Sequence, residues 1–282
     1  MASGSAGNSV YIETDSHKIL LDAGLSEKKL SARLASIGRE AKDLDAVFVT
    51  HEHSDHVSGI GPLVRKHNIR LFTTAGTLHK IKSRIGRIPA WSAICSEEPV
   101  AIGDMVVEPY ATPHDAEESV AFVIRCGNTK IGHATDLGKV TPFVREKLKK
   151  STALLVEANH DINMLEVGPY PWPLKQRIKS DVGHLSNEAC GELLADANHD
   201  GLQLVVLMHL SDTNNLAELA TLTAEQALGQ RASQIKMVLA QQDRPTELLS
   251  VNAPPRGETP LRGEEKPATP LTGEEKPASQ EG

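Results

Sequence analysis

The segment Thr50-His51-Glu52-His53-Ser54-Asp55-His56 gathers the side chains that bind divalent metals into one short stretch. His51 and His53 lie two apart, so on extended backbone both imidazoles face the same side. Asp55 and His56 follow where the chain can turn into a helix, which lets them face a second metal beside the first. Nitrogen and oxygen donors of this kind suit zinc, and manganese is compatible with the same set. The expected cofactors are therefore two divalent metal ions, Zn2+ or Mn2+. Such a pair lowers the pKa of a water bridging them and produces hydroxide near neutrality. That hydroxide can attack phosphorus or a carbonyl carbon while the cations stabilise oxygen charge as it develops.

One cluster does not complete such a centre, so further donors are expected along the chain. His114, in Pro113-His114-Asp115, follows a strand and a small turn and is the natural third imidazole for the His51/His53 metal. Asp136 stands just beyond the strand Lys130 to Ala134, and a carboxylate can bridge two cations where an imidazole nitrogen cannot readily do so. His209 closes the run Leu204-Val205-Val206-Leu207-Met208 and is expected to complete the second metal with Asp55 and His56.

These donors need strand ends to hold them. Leu44 to Val49 is an apolar run that delivers the first cluster from a buried strand into a polar loop. Val10 to Glu13 and Lys18 to Asp22 read as an opening hairpin. Ser26 to Ile37 reads as a helix with an apolar stripe at Leu30, Leu34 and Ile37, stopped by Gly38. A helix from Ile60 to Lys66 leads to a strand at Arg70 to Thr73. Val106 to Pro109, Ser119 to Arg125, Lys130 to Ala134 and Ala153 to Glu157 are further strands, with a helix over Pro142 to Lys149. Helices over Ser186 to Ala197 and Leu216 to Leu228 alternate with strands at Leu204 to Leu207 and Ile235 to Leu239. Hairpins followed by strand–helix alternation indicate an α+β fold with helices outside mixed sheets; one sheet or two is left open.

Residues 1–250 have the composition of a single enzyme domain, whereas 251–282 do not. There Arg262-Gly263-Glu264-Glu265-Lys266-Pro267-Ala268 recurs as Thr272-Gly273-Glu274-Glu275-Lys276-Pro277-Ala278, a Pro/Glu-rich repeat with no packable face, expected to be disordered. The net charge of -7 argues against a strongly basic nucleic-acid coat. It leaves room for local positive ground at Arg65, Lys66, Arg70, Lys80, Lys82, Arg84 and Arg87, and again at Lys175, Arg177 and Lys179. Such residues can hold a phosphate backbone without reading bases, or can simply form solvated faces. No apolar run is long enough to cross a bilayer, and the start lacks the basic and apolar segments of a secretory signal. With Cys95, Cys126 and Cys190 scattered and odd in number, a cytoplasmic location and no membrane partner are expected.

The donor pattern, HEHSDH at 51–56 followed by His114, Asp136 and His209, resembles that of the metallo-β-lactamase-fold hydrolases over about residues 5–245. The resemblance implies a four-layered αββα metallo-β-lactamase sandwich with the metals at one edge. It also implies that Asp22, in Ile19-Leu20-Leu21-Asp22-Ala23-Gly24, lies behind the metal loop and orients a ligand, as physical reasoning also expects. Leu155 to Asp161, Tyr170-Pro171-Trp172-Pro173-Leu174-Lys175 and Gly183-His184-Leu185-Ser186-Asn187 are similar to the YycJ/WalJ-type, nuclease-like branch, as are Gly4 to Ser9 and Asp22 to Ser26. That branch implies a DNA exonuclease working 5′ to 3′, with RNA a further possible substrate. Gly183-His184 followed by Glu188 is also similar to a motif of RNA- and DNA-cutting relatives, whose histidine approaches the scissile phosphate. This chain lacks their large inserted domain, so their grip on nucleic acid does not transfer.

On that reading Asp55 and His184 are the candidates for direct participation in catalysis. His184 would contact a phosphate oxygen or protonate the departing 3′ oxygen. Glu157 would hold a ligand or a neighbouring histidine; His133 and His160 are candidates for the surrounding layer, with ordinary structural roles as the alternative. Lys175, Arg177, His184 and Ser186 are candidate substrate contacts, Ser186 more simply as a helix cap. Competing readings are a small-molecule thioesterase or lactonase, which needs an enclosed apolar pocket, and a non-catalytic nucleic-acid adaptor with structural zinc. Oligomeric state is not legible.

Overall fold

Strands buried on both faces read as near-continuous apolar runs, as Ala46–Phe48 and Leu204–Met208 do here. A computed structural model describes residues 1–252; the repeat at 262–278, and all but the first two residues of the expected tail at 251–282, lie outside the described residues. The first half of the chain runs β1 (Val10–Glu13), β2 (Lys18–Leu21), α1 (Glu27–Ser36), β3 (Ala46–Phe48), α2 (Ser54–Val57), α3 (Ile60–His67), β4 (Arg70–Thr73), α4 (Ala75–Ile85) and β5 (Trp91–Ala93). The second half runs β6 (Val100–Ile102), β7 (Met105–Ala111), β8 (Val120–Cys126), β9 (Thr129–Ala134), α5 (Pro142–Leu148), β10 (Ala153–Glu157), α6 (Ile162–Val167), α7 (Trp172–Ile178), α8 (Asn187–Ala197), β11 (Leu204–Met208), α9 (Ala217–Leu228) and β12 (Lys236–Leu239).

Two sheets result, one of five strands in the order β1-β2-β3-β4-β5 and one of seven in the order β12-β11-β10-β9-β8-β7-β6. Alternation along each strand assigns the layers. Leu20 and Val47 pack outward with Leu30, Leu34, Leu63 and Ile81 of the helices, whereas Ile19, Leu21, Ala46 and Phe48 pack inward with Phe122 and Ile124 of the other sheet. On the second sheet Leu154, Val156, Val205 and Leu207 face Leu148, Leu193, Leu194 and Leu228. The layering is αββα, with α1, α3 and α4 on one outside and α5, α8 and α9 on the other. Phe48 stacks on Phe72 with centroids 4.7 Å apart and meets Phe122 edge-on at 5.6 Å, so a chain poor in aromatics spends several of them between the sheets.

The parallel pairing β2-β3-β4 and β9-β10-β11-β12 sends those strands' carboxyl ends to a common edge, where open α/β sheets place their ligands. Expected strands and helices occur within a residue or two of their sequence limits, except that the first metal-loop strand shortens to Ala46–Phe48. Several elements were not anticipated. Helix α4 carries Leu78, Ile81 and Ile85 on one side and is capped by the Thr74 hydroxyl; its intervening lysines and arginine obscured the stripe. Strands β5 and β6, of three residues each, are too short to show a period. Helices α6 and α7 hide among prolines and glycine, where turn signals dominate. None of the described helices is long and apolar enough to cross a membrane.

Candidate metal centre

The strand-to-helix turn after β3 throws His51, His53, Asp55 and His56 into one space, and residues just past other strand ends meet them there. Asp22 follows β2, His114 follows β7, Asp136 follows β9, Glu157 ends β10 and His209 follows β11. Asp22, Asp136 and His209 adopt left-handed backbone with φ of 59°, 57° and 56°. That conformation is unfavourable for a side chain with a Cβ and is characteristic of functional positions. The other such non-glycine residues, Asn68, Glu97 and Lys150, sit in turns. Gly24 lets the β2–α1 connection lie directly on the metal loop, since a Cβ there would collide with the Asp55 carbonyl.

Two donor sets converge, joined by a third grouping in which His51 and Asp136 stand with His56. In the first, His51 Nε2 lies 3.0 Å from His53 Nδ1, which lies 3.3 Å from His114 Nε2. In the second, His209 Nδ1 is 2.9 Å from Asp136 Oδ1. His56 Nε2 is 3.5 Å from Asp136 Oδ2 and 3.2 Å from Asp55 Oδ2, with His209 Nε2 4.0 Å from that same Asp55 oxygen. Groups able to hold a cation are thus His51/His53/His114, His51/His56/Asp136 and Asp136/Glu157/His184/His209.

Several of these rings have one nitrogen engaged away from the other donors. The Thr50 hydroxyl lies 2.9 Å from His51 Nδ1. His114 Nδ1 donates to the Gly183 carbonyl at 3.2 Å. Asp22 Oδ2 accepts a hydrogen bond from His56 Nδ1 at 2.8 Å while its carboxylate also accepts from Thr50 N and Oγ1. Glu157 Oε1 accepts from Nδ1 of both His184, at 2.8 Å, and His209, at 3.1 Å. Fixing one nitrogen fixes the tautomer and presents the other to a ligand.

Three imidazole nitrogens within hydrogen-bond distance cannot all be satisfied by shared protons, and Asp136 Oδ2 is buried with no hydrogen-bond partner. Both features fit a cation as the missing partner. Electrostatics divides the sets. Burial holds His51 and His114 below the usual imidazole pKa, so both are neutral donors. Burial also opposes charge on His56 and His209, but Asp136 with Asp22, and Asp136 with Glu157, outweigh it; His56 is raised well above its usual value and His209 to about 10. Glu157, resisting burial through the two histidines it holds, falls to about 2.

The remaining expected site residues lie around or away from this centre. His184 joins it, 3.7 Å from Asp136, with its ring partly open to solvent. Arg177 reaches its margin, donating to Asp115 Oδ2 at 2.5 Å, and Asp115 Oδ1 stands 3.5 Å from His114 Nε2. Lys175 does not converge: its ammonium caps the Glu166 carbonyl at 2.7 Å, because the end of α6 is the nearer acceptor. Ser186 is spent as the N-cap of α8, accepting from Ala189 N. His160 forms a backbone bridge to Ser186, and burial lowers its pKa to about 4. His133 is buried behind the donors with its pKa lowered to about 4 and makes no hydrogen bond to them; its Nε2 meets only Thr135 Oγ1, at 3.4 Å.

In the earlier basic group, Lys66 and Lys80 pair with Glu27 and Glu117. Arg65 donates to backbone carbonyls. Arg84 reaches the metal loop, donating to Glu52 O at 2.6 Å.

Two contributors were not among the expected site residues. Asn8 Nδ2 bonds Asp55 Oδ2 at 3.0 Å and lies 3.1 Å from His56 Nε2, a buried amide brought from far away in the chain. Glu52, between two donors, accepts from Glu117 N at 2.8 Å and so ties the His114 loop to the HEHSDH loop. A cavity of about 720 Å³ lies between the sheets, lined by Ile12, Ile124, Leu155 and Val206 among others; none of its lining residues is a donor.

Comparison with known proteins follows the same lines. Residues 17–210 match the Beta-lactamase superfamily domain. The chain is 39% identical over 233 residues to exodeoxyribonuclease YycJ of Bacillus anthracis, covering 82% of this chain and 88% of that protein. It is 38% identical over 234 residues to exodeoxyribonuclease WalJ of Streptococcus pneumoniae, covering 82% and 87%. Among solved structures, the metallo-beta-lactamase fold protein YhfI from Bacillus subtilis superposes with a TM-score of 0.65 at 18% identity, over 84% of this chain and 90% of that one. This last likeness concerns the fold.

Proposed function

The chain belongs to the β-lactamase superfamily and is a metal-dependent hydrolase, and on that premise we propose that it is a two-metal phosphodiesterase acting on nucleic acid, a DNA exonuclease running 5′ to 3′. Residues 1–250 form its catalytic unit. The observation that carries this reading is the convergence of three overlapping donor groups, linked through His51 and Asp136, with His184 at their open side. The names borne by the relatives from Bacillus anthracis and Streptococcus pneumoniae supply the substrate class and the exonucleolytic mode.

His51, His53 and His114 would hold one ion, and Asp55, His56 and His209 the other, with Asp136 between them. Two zinc or manganese ions there would supply an activated water and positive charge against the developing charge on phosphate. The protein's own work is orientation and proton placement. Asp22 keeps the proton of His56 on Nδ1, so Nε2 faces inward. Glu157 does the same for His184, which leaves His184 Nε2 to carry a proton to the departing 3′ oxygen. Arg84, at Glu52, and Arg177, at Asp115, stand beside the centre and would offer positive charge to the strand as it enters.

The test is incubation of metal-loaded protein with end-labelled single- and double-stranded DNA and RNA, beside a thioester and a lactone. We expect a DNA ladder growing from the 5′ end, abolished in Asp136→Asn. Turnover of the thioester or lactone with every nucleic acid intact would overturn the reading.

A further inference from the structure

An exposed tryptophan forgoes the largest apolar burial any side chain offers. Trp172, on α7, is 70% exposed, and Val167 at the end of α6 is 87% exposed. The backbone under Trp172 is held firmly. Pro171 and Pro173 flank it and fix their own φ angles. At the other end of the helix Ile178 is buried and its carbonyl accepts from His184 N at 2.9 Å. Gly183 packs so closely there that a Cβ would strike the carbonyls of Arg177 and Ile178. Helix α7 is therefore a short rigid arm between Trp172 and His184, with Trp172 about 9 Å along the axis from Ile178. A ring presented on so fixed a backbone loses little freedom on gaining a partner.

The charges beside it indicate which partner. Lys175, Arg177 and Lys179 lie on the same arm, with no acidic residue between 172 and 180. Lys179 pairs with Glu166, Arg177 with Asp115, and Lys175 reaches the Glu166 carbonyl, solvent-reached contacts of the kind a phosphate readily replaces. Aromatic faces interleaved with cations along one path are how proteins hold single-stranded nucleic acid, whose unpaired bases offer open π-faces that a duplex conceals. A protein interface core, in contrast, is depleted of charge. We infer that Trp172 is a stacking platform for an unpaired base of a single-stranded nucleic-acid end leading to His184, an assignment that rests on the nuclease reading and sharpens its substrate to strands with unpaired ends.

Trp91 and Trp172 are the only tryptophans, so a Trp91→Phe protein reports on Trp172 alone. It would be titrated, metal-loaded, with a nuclease-resistant phosphorothioate oligothymidylate and with a blunt duplex. The expected result is saturable quenching by the single strand and little by the duplex. Trp172→Ala should weaken single-strand binding by about 5- to 100-fold and Trp172→Tyr should restore most of it. Unchanged fluorescence, together with wild-type binding and cutting by Trp172→Ala, would overturn the platform and leave the nuclease intact. A shift from dimer to monomer in Trp172→Ala with unaltered strand binding would also overturn it, assigning the face to a subunit contact. Failure of the wild-type protein to bind or cut any nucleic acid would remove the nuclease reading and the platform with it.

Discussion

The two sides of the metal centre are built differently. The His51/His53/His114 side is a set of imidazoles of which His51 and His114 are held neutral by burial. The Asp136/Glu157/His209 side, with His56, is a charged mesh in which carboxylates keep His56 and His209 protonated. Neutral His51 and His114 can take a cation without first losing protons, whereas protonated His56 and His209 must release theirs. Both sides take donors from the one turn after β3, His51 and His53 on the first and His56 on the second; the second also draws on the ends of β9, β10 and β11.

The strongest way to break this comparison is at the shared residue. Asp136→Asn removes the carboxylate proposed to lie between the two ions, and activity should fall about 10³-fold or more with loss of metal; metal content after dialysis is the accompanying measurement. A protein retaining two ions and full turnover would show that the sets are independent of Asp136.

Glu157→Gln comes next and should act on one side only. With the double acceptor for His184 and His209 weakened, metal affinity on the charged side and kcat should each drop about 10- to 100-fold. Uptake by the three-histidine set should be unchanged. Titration calorimetry that resolves the two affinities checks this.

The protons themselves sharpen the contrast. Near pH 7, binding on the neutral side should release almost none, and binding on the charged side about one or two, counted from heats in buffers of different ionisation enthalpy. Affinity on the charged side should therefore rise with pH through neutrality while the other stays level. Parallel pH dependence would contradict the division.

The smallest effect lies outside the centre. Glu27, bound by Lys66, Ser31 and His67, has its pKa lowered to about 2. A depressed carboxylate pKa stabilises the fold above its unfolded value and loses that contribution as pH falls through the folded one. Glu27→Gln should lower Tm by at most about 2–4 °C at pH 7, with the gap closing between about pH 4.5 and 2. A gap that persists at pH 2 would mean that the residue acts through packing.

Legibility in the sequence followed the range of the forces involved. HEHSDH was visible because a strand-to-helix turn fixes those directions within six residues, whatever the rest of the chain does. Asp136 and His209 were visible as polar residues directly after apolar strands, and Glu157 as the acid ending one. Asn8 was not, because an amide in a small-residue turn looks the same whether or not it meets a carboxylate. Where Lys175 reaches was not legible, because proximity in sequence to Arg177 says nothing about which side of a short helix faces the centre; its ammonium meets the end of α6. Asp115 was in view beside His114, but its pairing with Arg177 depends on where α7 docks.

By itself, then, the sequence determined the kind of chemistry, the donor types and their order along the chain, since these depend on side-chain identity and on backbone periods of two and 3.6 residues. Tertiary structure alone decided how closely the donors approach one another, which nitrogen each ring presents and which groups carry charge without metal. Those properties arise from distances of a few ångströms between strand ends far apart in sequence and from the exclusion of water around them.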